Sequence, residues 1–393
     1  MPLAGFPREL LDRPTSERLA YFRSYTIAHP RLTAISDTLM RAIQEPAGRS
    51  LILVTGPTGV GKTTLRLRVE QELKERFLAA READPGRIPV VAIEAAAPDS
   101  GNFSWKDYYR RTLQALEEPL IDYKIDYASR HIYRNQGGGL TIANRAGSPE
   151  LRQAMEKALQ HRRPSAVLID EAQHLTKIAS GRRLGDQLDC IKSLASFTGC
   201  VHVLIGTYDL LPCRNLSAQL SRRSIDIHFQ RYRADNQEDI VAFQNVVFSF
   251  QRHLPVAEEP TLWRDWEYCY AHSMGCVGIL KDWFTRTLAQ VLERAAVTVT
   301  RADLERHAWS LDQCEKMVQE ALEGEAVLSE RPGGIDRLRS LLGLDALSAG
   351  AEVERSVSVR NGAQGTAALD LRQNQPSRRV GSRKPMRDPV GRR

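Results

Sequence analysis

Residues Gly56 to Thr63 read Gly-Pro-Thr-Gly-Val-Gly-Lys-Thr, and this octapeptide constrains the fold more than any other feature of the chain. It matches the spacing G-x-x-x-x-G-K-[ST] in full. Ser50 to Thr55, just before it, is a short apolar run of the kind that forms a buried parallel strand. A helical pattern from Lys62 to about Ala80 comes next. Strand, glycine-rich turn and helix in that order form a cradle for phosphates. The glycines let backbone N–H groups turn inward, and the helix N-terminus adds a favourable dipole. Gly56, Pro57, Thr58, Gly59, Val60, Gly61, Lys62, Thr63 and Thr64 are therefore the candidate nucleotide contacts. Lys62 is expected to reach the β- and γ-phosphates of ATP, and Thr63 to offer its hydroxyl to Mg²⁺.

A second motif completes such a site. Ala166-Val-Leu-Ile-Asp-Glu171 is an apolar strand ending in two acids, at the edge where parallel sheets bind ligands. Asp170 is the candidate metal anchor, and Glu171 the candidate group that polarises the attacking water. Acids at a strand end can also simply cap the next helix; the phosphate loop upstream favours the chemical reading. Val203 to Thr207 ends the next strand. Thr207 is placed either to touch the γ-phosphate side or to cap the next helix. Arg222 and Arg223 precede a last strand, Ile225 to Phe229. They fit either a helix C-terminus or an arginine finger reaching a neighbouring subunit, and sequence does not separate the two residues.

Strands alternate with helices up to about residue 230, which predicts a parallel sheet covered on both faces. The strands expected are 50–55, 88–93, 166–169, 201–205 and 225–229. Ser104 is a plausible N-cap for a helix to about Leu116. Residues 120–148 read as an insertion with a mobile loop around Gly137-Gly138-Gly139. Beyond the last strand the pattern is helical only: 236–250, 261–273, 278–295 and 301 to about 323, then a weak helix at 335–342. The domain reading is an N-terminal helical segment 1–48, an α/β core 49–232, a helical lid 233–330, and a mostly disordered basic tail 331–393.

Charge is unevenly spread. The chain carries a net +7, and eight basic residues against one acid between Leu371 and Arg393 account for all of it. Such a tail attracts polyanions, or serves as a solubilising end. No apolar run reaches membrane-spanning length, the first residues mix charges in a way unlike a signal peptide, and six cysteines show no metal-site spacing. A soluble cytoplasmic protein with free thiols is expected.

The order of phosphate loop, Asp-Glu strand, polar strand end, arginine pair, final strand and helical lid resembles AAA+ ATPases. That resemblance implies an α/β P-loop NTPase fold with a five-stranded parallel sheet, plus an all-helical lid. Within the group the chain is similar to the TniB/TnsC transposition regulators, relatives of MuB. The similarity lies in His29-Pro-Arg-Leu32, Leu168 to His174, Ile205 to Asp209, Ser273 to Leu280 and Val299 to Leu304. It implies ATP-dependent homo-oligomers, as rings or filaments, on duplex DNA, and links to a transposase and a target-selection protein. A signalling scaffold without DNA binding and a helicase-loader-like protein are the alternatives. One departure stands out: where many AAA+ lids carry a Gly-x-x-Arg sensor, Gly275-Cys-Val-Gly278 has glycine. Either Lys281, about one turn on, substitutes for it, or the lid senses nucleotide weakly. Relatives that form filaments bind DNA through the region before the Asp-Glu strand. Here it holds Lys106, Arg110, Arg111, Lys124, Arg130, Arg134 and Arg145, interleaved with Trp105, Tyr108, Tyr109, Tyr123, Tyr127 and Tyr133. The other reading of that region is a solvated helix face with core aromatics.

Overall fold

The computed structural model of the protein describes residues 5–98, 101–121, 132–134, 140–142, 147–177, 184–214, 222–329 and 333–344. Two helices, α1 (Thr15–Ser24) and α2 (Pro30–Gln44), precede strand β1 (Leu51–Thr55). Then come α3 (Lys62–Arg76), α4 (Leu78–Ala83), β2 (Val90–Glu94) and α5 (Trp105–Ala115). A hairpin of β3 (Ile132–Arg134) and β4 (Leu140–Ile142) is next, then α6 (Ser148–Arg162), β5 (Ala166–Asp170), α7 (Leu184–Thr198), β6 (Val201–Gly206) and β7 (Ser224–His228).

The five long strands pair in the order β2-β5-β6-β1-β7, all parallel. Every residue of β1, β5 and β6 is buried, because helices cover both faces. Successive side chains alternate between the two cores. Leu51 and Leu53 join Tyr108, Tyr109, Leu113, Met155 and Ile191 on one side. Ile52 and Val54 join Leu32, Leu39, Leu65 and Val69 on the other. The register matters most. Thr55 lies beside Gly206, Val54 beside Ile205, and Ile169 beside Leu204. The carboxyl ends of β1, β6 and β5 therefore stand in a row, and at about 4.8 Å per strand the outer two are roughly 10 Å apart.

The C-terminal helices are α8 (Gln237–Arg252), α9 (Trp266–Ser273), α10 (Val277–Glu293), α11 (Arg301–His307) and α12 (Leu311–Leu328). The first four share a third core, which includes Phe243, Phe250, Trp283 and Phe284, while α12 places Cys314 in a small separate cluster with Met274, Cys276 and Ile279. Phe22 of α1 is fully buried in that third core, so the N-terminal segment is built into the helical layer. The chain divides into two compact units, Met1–Ser329 and Glu330–Arg393; within the second the described residues form α13 (Gly334–Leu341).

Several sequence expectations shift. The helix expected to run to Ala80 breaks at Phe77. The single helix expected over 301–323 is two: Ser310 starts a fresh one, its hydroxyl accepting from the Gln313 N–H while the Gln313 side chain accepts from the Ser310 N–H. A tight 3₁₀ turn over Tyr208–Cys213, with Pro212 inside it, follows β6. Ser104 caps α5 as expected, accepting from the Asp107 N–H. Most of the expected insertion, the glycine triplet and the basic tail lie outside the described residues. All six cysteines are free. Among the described residues no helix is long and apolar enough to cross a membrane.

Candidate functional site

The loop between β1 and α3 lies at the carboxyl edge of the sheet, with Gly61 as the N-cap of α3. Lys62 is buried, and its Nζ donates to the carbonyls of Gly56 at 3.0 Å and Pro57 at 2.8 Å. Burial lowers the ammonium's pKa, while the nearby carboxylates of Glu171 and Asp170 work the other way. A cavity of about 590 Å³ opens over the loop, and Lys62, Thr63, Thr64, Glu171, Thr207 and Lys281 all line it. Residues far apart along the chain are thus brought to one space.

Asp170 ends β5 and is 4% exposed. Its Oδ1 accepts from the Glu171 N–H at 3.0 Å, and its Oδ2 accepts from Arg66 Nε at 3.3 Å. Sequence reasoning missed Arg66. It lies one turn beyond Lys62 on α3, and nothing in the helix pattern connects it to an acid 104 positions away. Glu171 has a left-handed backbone, φ +51°, which turns the chain sharply out of the strand. Thr207 does not act as a side-chain cap for the turn after β6. Its Oγ1 is buried with no hydrogen-bond partner, a polar atom left for something that enters the site.

Within the region expected as a lid (233–330), the start of α10 meets the phosphate loop. The N–H of Gly278 donates to the Gly59 carbonyl at 2.7 Å. A Cβ on Gly278 would lie 2.5 Å from that oxygen. The missing sensor arginine therefore has a steric cause: at this position the helix backbone rests on the phosphate loop. Lys281 does line the cavity, and its Nζ donates to the carbonyls of Arg23 at 2.8 Å and Tyr25 at 2.5 Å. It straps the N-terminal segment to α10. Arg23 lines the cavity too; its place at the end of a helix in another part of the sequence gave no signal. Gly278→Ala is expected to lift α10 off the loop and weaken ATP binding by about fivefold, on the order of 1 kcal/mol. Titration with a fluorescent ATP analogue checks this, and an unchanged Kd would contradict the steric reading.

Beside the phosphate cavity lies a small apolar one of about 40 Å³, lined by Ile27, His29, Val60, Phe250 and Val277 among others. His29 caps α2 by accepting from the Leu32 N–H, and its ring contacts the Tyr232 hydroxyl at 2.9 Å. Burial, reinforced by Arg31 and Arg68, depresses its pKa to about 4, so the ring is neutral at pH 7.

Other candidates fall elsewhere. Arg222 and Arg223 are exposed at the start of β7, the edge of the sheet opposite the phosphate loop. Arg223 Nη1 donates to Ser196 Oγ at 3.2 Å. Within one chain neither reaches the cavity. On α5, Lys106 and Arg111 are exposed and Arg111 pairs with Asp107. Arg110 is half-buried. Tyr108 and Tyr109 are core residues, 2% and 3% exposed, and Trp105 packs on them. Burial pushes both phenols well above their usual range. These three aromatics are not the interleaved stacking surface that the sequence suggested. Arg134 and Tyr133 lie on β3; Lys124, Arg130, Arg145, Tyr123 and Tyr127 lie outside the described residues.

A parallel sheet with a phosphate loop after β1, and an acid pair at the end of β5 two strands away, defines a P-loop nucleoside triphosphatase. The sequence profile of a family described as "AAA domain" matches residues 44–254, more than half of the chain. The chain belongs to that family, and is an AAA+ ATPase. No curated protein matches it. Similar solved structures include the Aeropyrum pernix ORC2 protein in ADPNP–ADP complexes, at 14% identity and TM-score 0.46, over 72% of this chain and 69% of that one. Drosophila ORC bound to DNA gives 16% and 0.46, over 84% and 83%. The Aeropyrum pernix ORC1 protein in complex with DNA gives 16% and 0.46, over 75% and 68%. These likenesses are too distant to carry a function. The family that the match establishes is the general AAA domain, broader than the TniB/TnsC group.

Proposed function

We propose that the protein is an ATP-driven switch that assembles as a homo-oligomer on duplex DNA and comes apart when ATP is hydrolysed. The observation that carries the catalytic part is the sharing of one cavity by Lys62, Thr63, Glu171 and Thr207. Lys62 leaves its loop carbonyls for the β- and γ-phosphates. Glu171 orients the attacking water, and the partnerless Thr207 hydroxyl meets the γ-phosphate or that water. The regions then act as read from sequence: core 49–232, lid 233–330, with segment 1–48 strapped to the lid by Lys281. Arg222 or Arg223 serves the site of the neighbouring subunit, which is the geometry left to side chains on the far edge.

Mg²⁺ fits the donor set. It is a hard cation that needs only one or two protein oxygens besides the phosphates and water, and Thr63 and Asp170 supply them. No cluster of three or more acidic, His or Cys ligands occurs among the described residues, and none is required. The metal supplies charge neutralisation on the triphosphate. Arg66, which donates to Asp170 Oδ2, would hold that carboxylate in place beside the cation.

Support for DNA as the partner is the exposed Lys106 and Arg111 on α5, the concentration of net charge in residues 371–393, and the motif resemblance to transposition regulators. That resemblance also supports the finer reading, in which the assembly links a target-selection protein to a transposase. Because the family match is to the general AAA domain, a loader- or initiator-like protein is the second reading. Phosphate release with duplex DNA, single-stranded DNA or none tests these. Duplex is expected to raise the rate severalfold at low salt, and the effect to fade as salt rises, since backbone contacts release counterions. A rate indifferent to any DNA would overturn the DNA part, and stimulation by single strands alone would favour the loader.

A further inference from the structure

We propose that Gln173 is a positioning residue for hydrolysis, its amide tying the Glu171 carboxylate to the end of β6 at Thr207. The proposal rests on the reading of Glu171 as the water-orienting group. Gln173 sits in the 3₁₀ turn Ala172–Thr176, is 8% exposed, and lines the phosphate cavity. Its Nε2 donates to Glu171 Oε2 at 2.5 Å, and its Oε1 accepts from the Thr207 N–H at 3.2 Å. Only this orientation of the amide satisfies both ends. Flipped, it would set an oxygen against the carboxylate and an NH₂ against an N–H. The turn itself is pinned by the Thr176 hydroxyl, which donates to the Gln173 carbonyl at 2.7 Å.

Strand β6 is shaped for this bridge. A Cβ on Gly206 would stand 2.5 Å from Gln173 Oε1, so glycine at the strand end lets the amide close in. The bridge uses one carboxylate oxygen and leaves the other open. While bridged, Glu171 lines the cavity together with Lys62 and Thr207. Gln173 thus holds the carboxylate toward the phosphates rather than away from them. It also couples two groups that come from different strands, so that the water-orienting acid and the γ-phosphate-side strand end share one geometry. Removing the amide frees the Glu171 rotamer without touching the loop that binds the triphosphate.

The test compares wild type, Gln173→Met and Gln173→Glu as full chains, by steady-state phosphate release and by binding of a fluorescent ATP analogue. Methionine keeps length and volume but cannot bridge; glutamate sets like charges together. Both variants are expected to lose roughly 10- to 100-fold in kcat, with KM and Kd for ATP within about threefold of wild type. Gly206→Ala breaks the bridge from the strand side and should show the same split if Gln173→Met folds poorly. A kcat within twofold of wild type would overturn the proposal. So would a kcat above wild type, the mark of a latch, or a parallel loss of ATP affinity, the mark of a merely structural residue. Glu171→Gln measured alongside separates the two ideas. If it turns over normally the base assignment fails. If it is inactive while the Gln173 variants are not, the bridge alone fails.

Discussion

Lys62→Ala is expected to reduce ATP turnover by on the order of 10²- to 10³-fold, the scale seen when a single preorganised donor to developing charge is removed. The lysine is buried at the mouth of the phosphate loop and already directs its ammonium at two loop carbonyls. Exchanging those neutral acceptors for phosphate oxygens gains charge-assisted hydrogen bonds. Alanine removes the cation and leaves the Gly56 and Pro57 carbonyls without their donor, so affinity falls along with turnover. Phosphate release and equilibrium nucleotide binding on the same preparation check this. Turnover within a few fold of wild type would show that the triphosphate lies elsewhere.

Glu171→Gln should behave differently. The amide has the same shape and can still accept from Gln173, so the fold of the turn is kept. It cannot take a proton from water. The expected loss in kcat is about 10²- to 10⁴-fold, the range of general acid–base catalysis, with ATP affinity preserved. If hydrolysis dissolves the assembly, this variant also stays bound to duplex DNA in ATP far longer than wild type. Light scattering or sedimentation after removal of free ATP reads that lifetime. A variant that hydrolyses ATP at the wild-type rate would contradict the role of Glu171; one that is inactive yet dissociates normally would contradict only the link between hydrolysis and disassembly.

The parts of the site visible in the sequence are those fixed by local pattern. β1, β5 and β6 are buried on both faces, so they read as unbroken apolar runs, and the residues just after each strand land on the same edge of the sheet. That is why Lys62, Asp170, Glu171 and Thr207 could be named together. Contacts made across the fold left no such trace. Arg66 meets Asp170 through helix-to-strand packing, Arg23 reaches the cavity because Phe22 anchors α1 in the core of the C-terminal helices, and the Gln173 amide finds Thr207 only once β5 and β6 are side by side. The aromatic residues of α5 misled for a related reason. Tyr108 and Tyr109 alternate with charges along the chain, but a helix rotates about 100° per residue, and these two fall on the face toward the sheet. Gly278 shows the reverse case: a departure from a familiar motif became intelligible when its backbone was found against Gly59.

The convergence of lysine and acid pair on one triphosphate is tested most directly by a structure of the Glu171→Gln variant with ATP and Mg²⁺. The expected result has Lys62 Nζ moved from the Gly56 and Pro57 carbonyls onto β- and γ-phosphate oxygens, with Thr63 and Asp170 at the metal and residue 171 facing the γ-phosphate. Phosphates bound while Lys62 keeps its loop carbonyls, or a metal held away from Asp170, would contradict it.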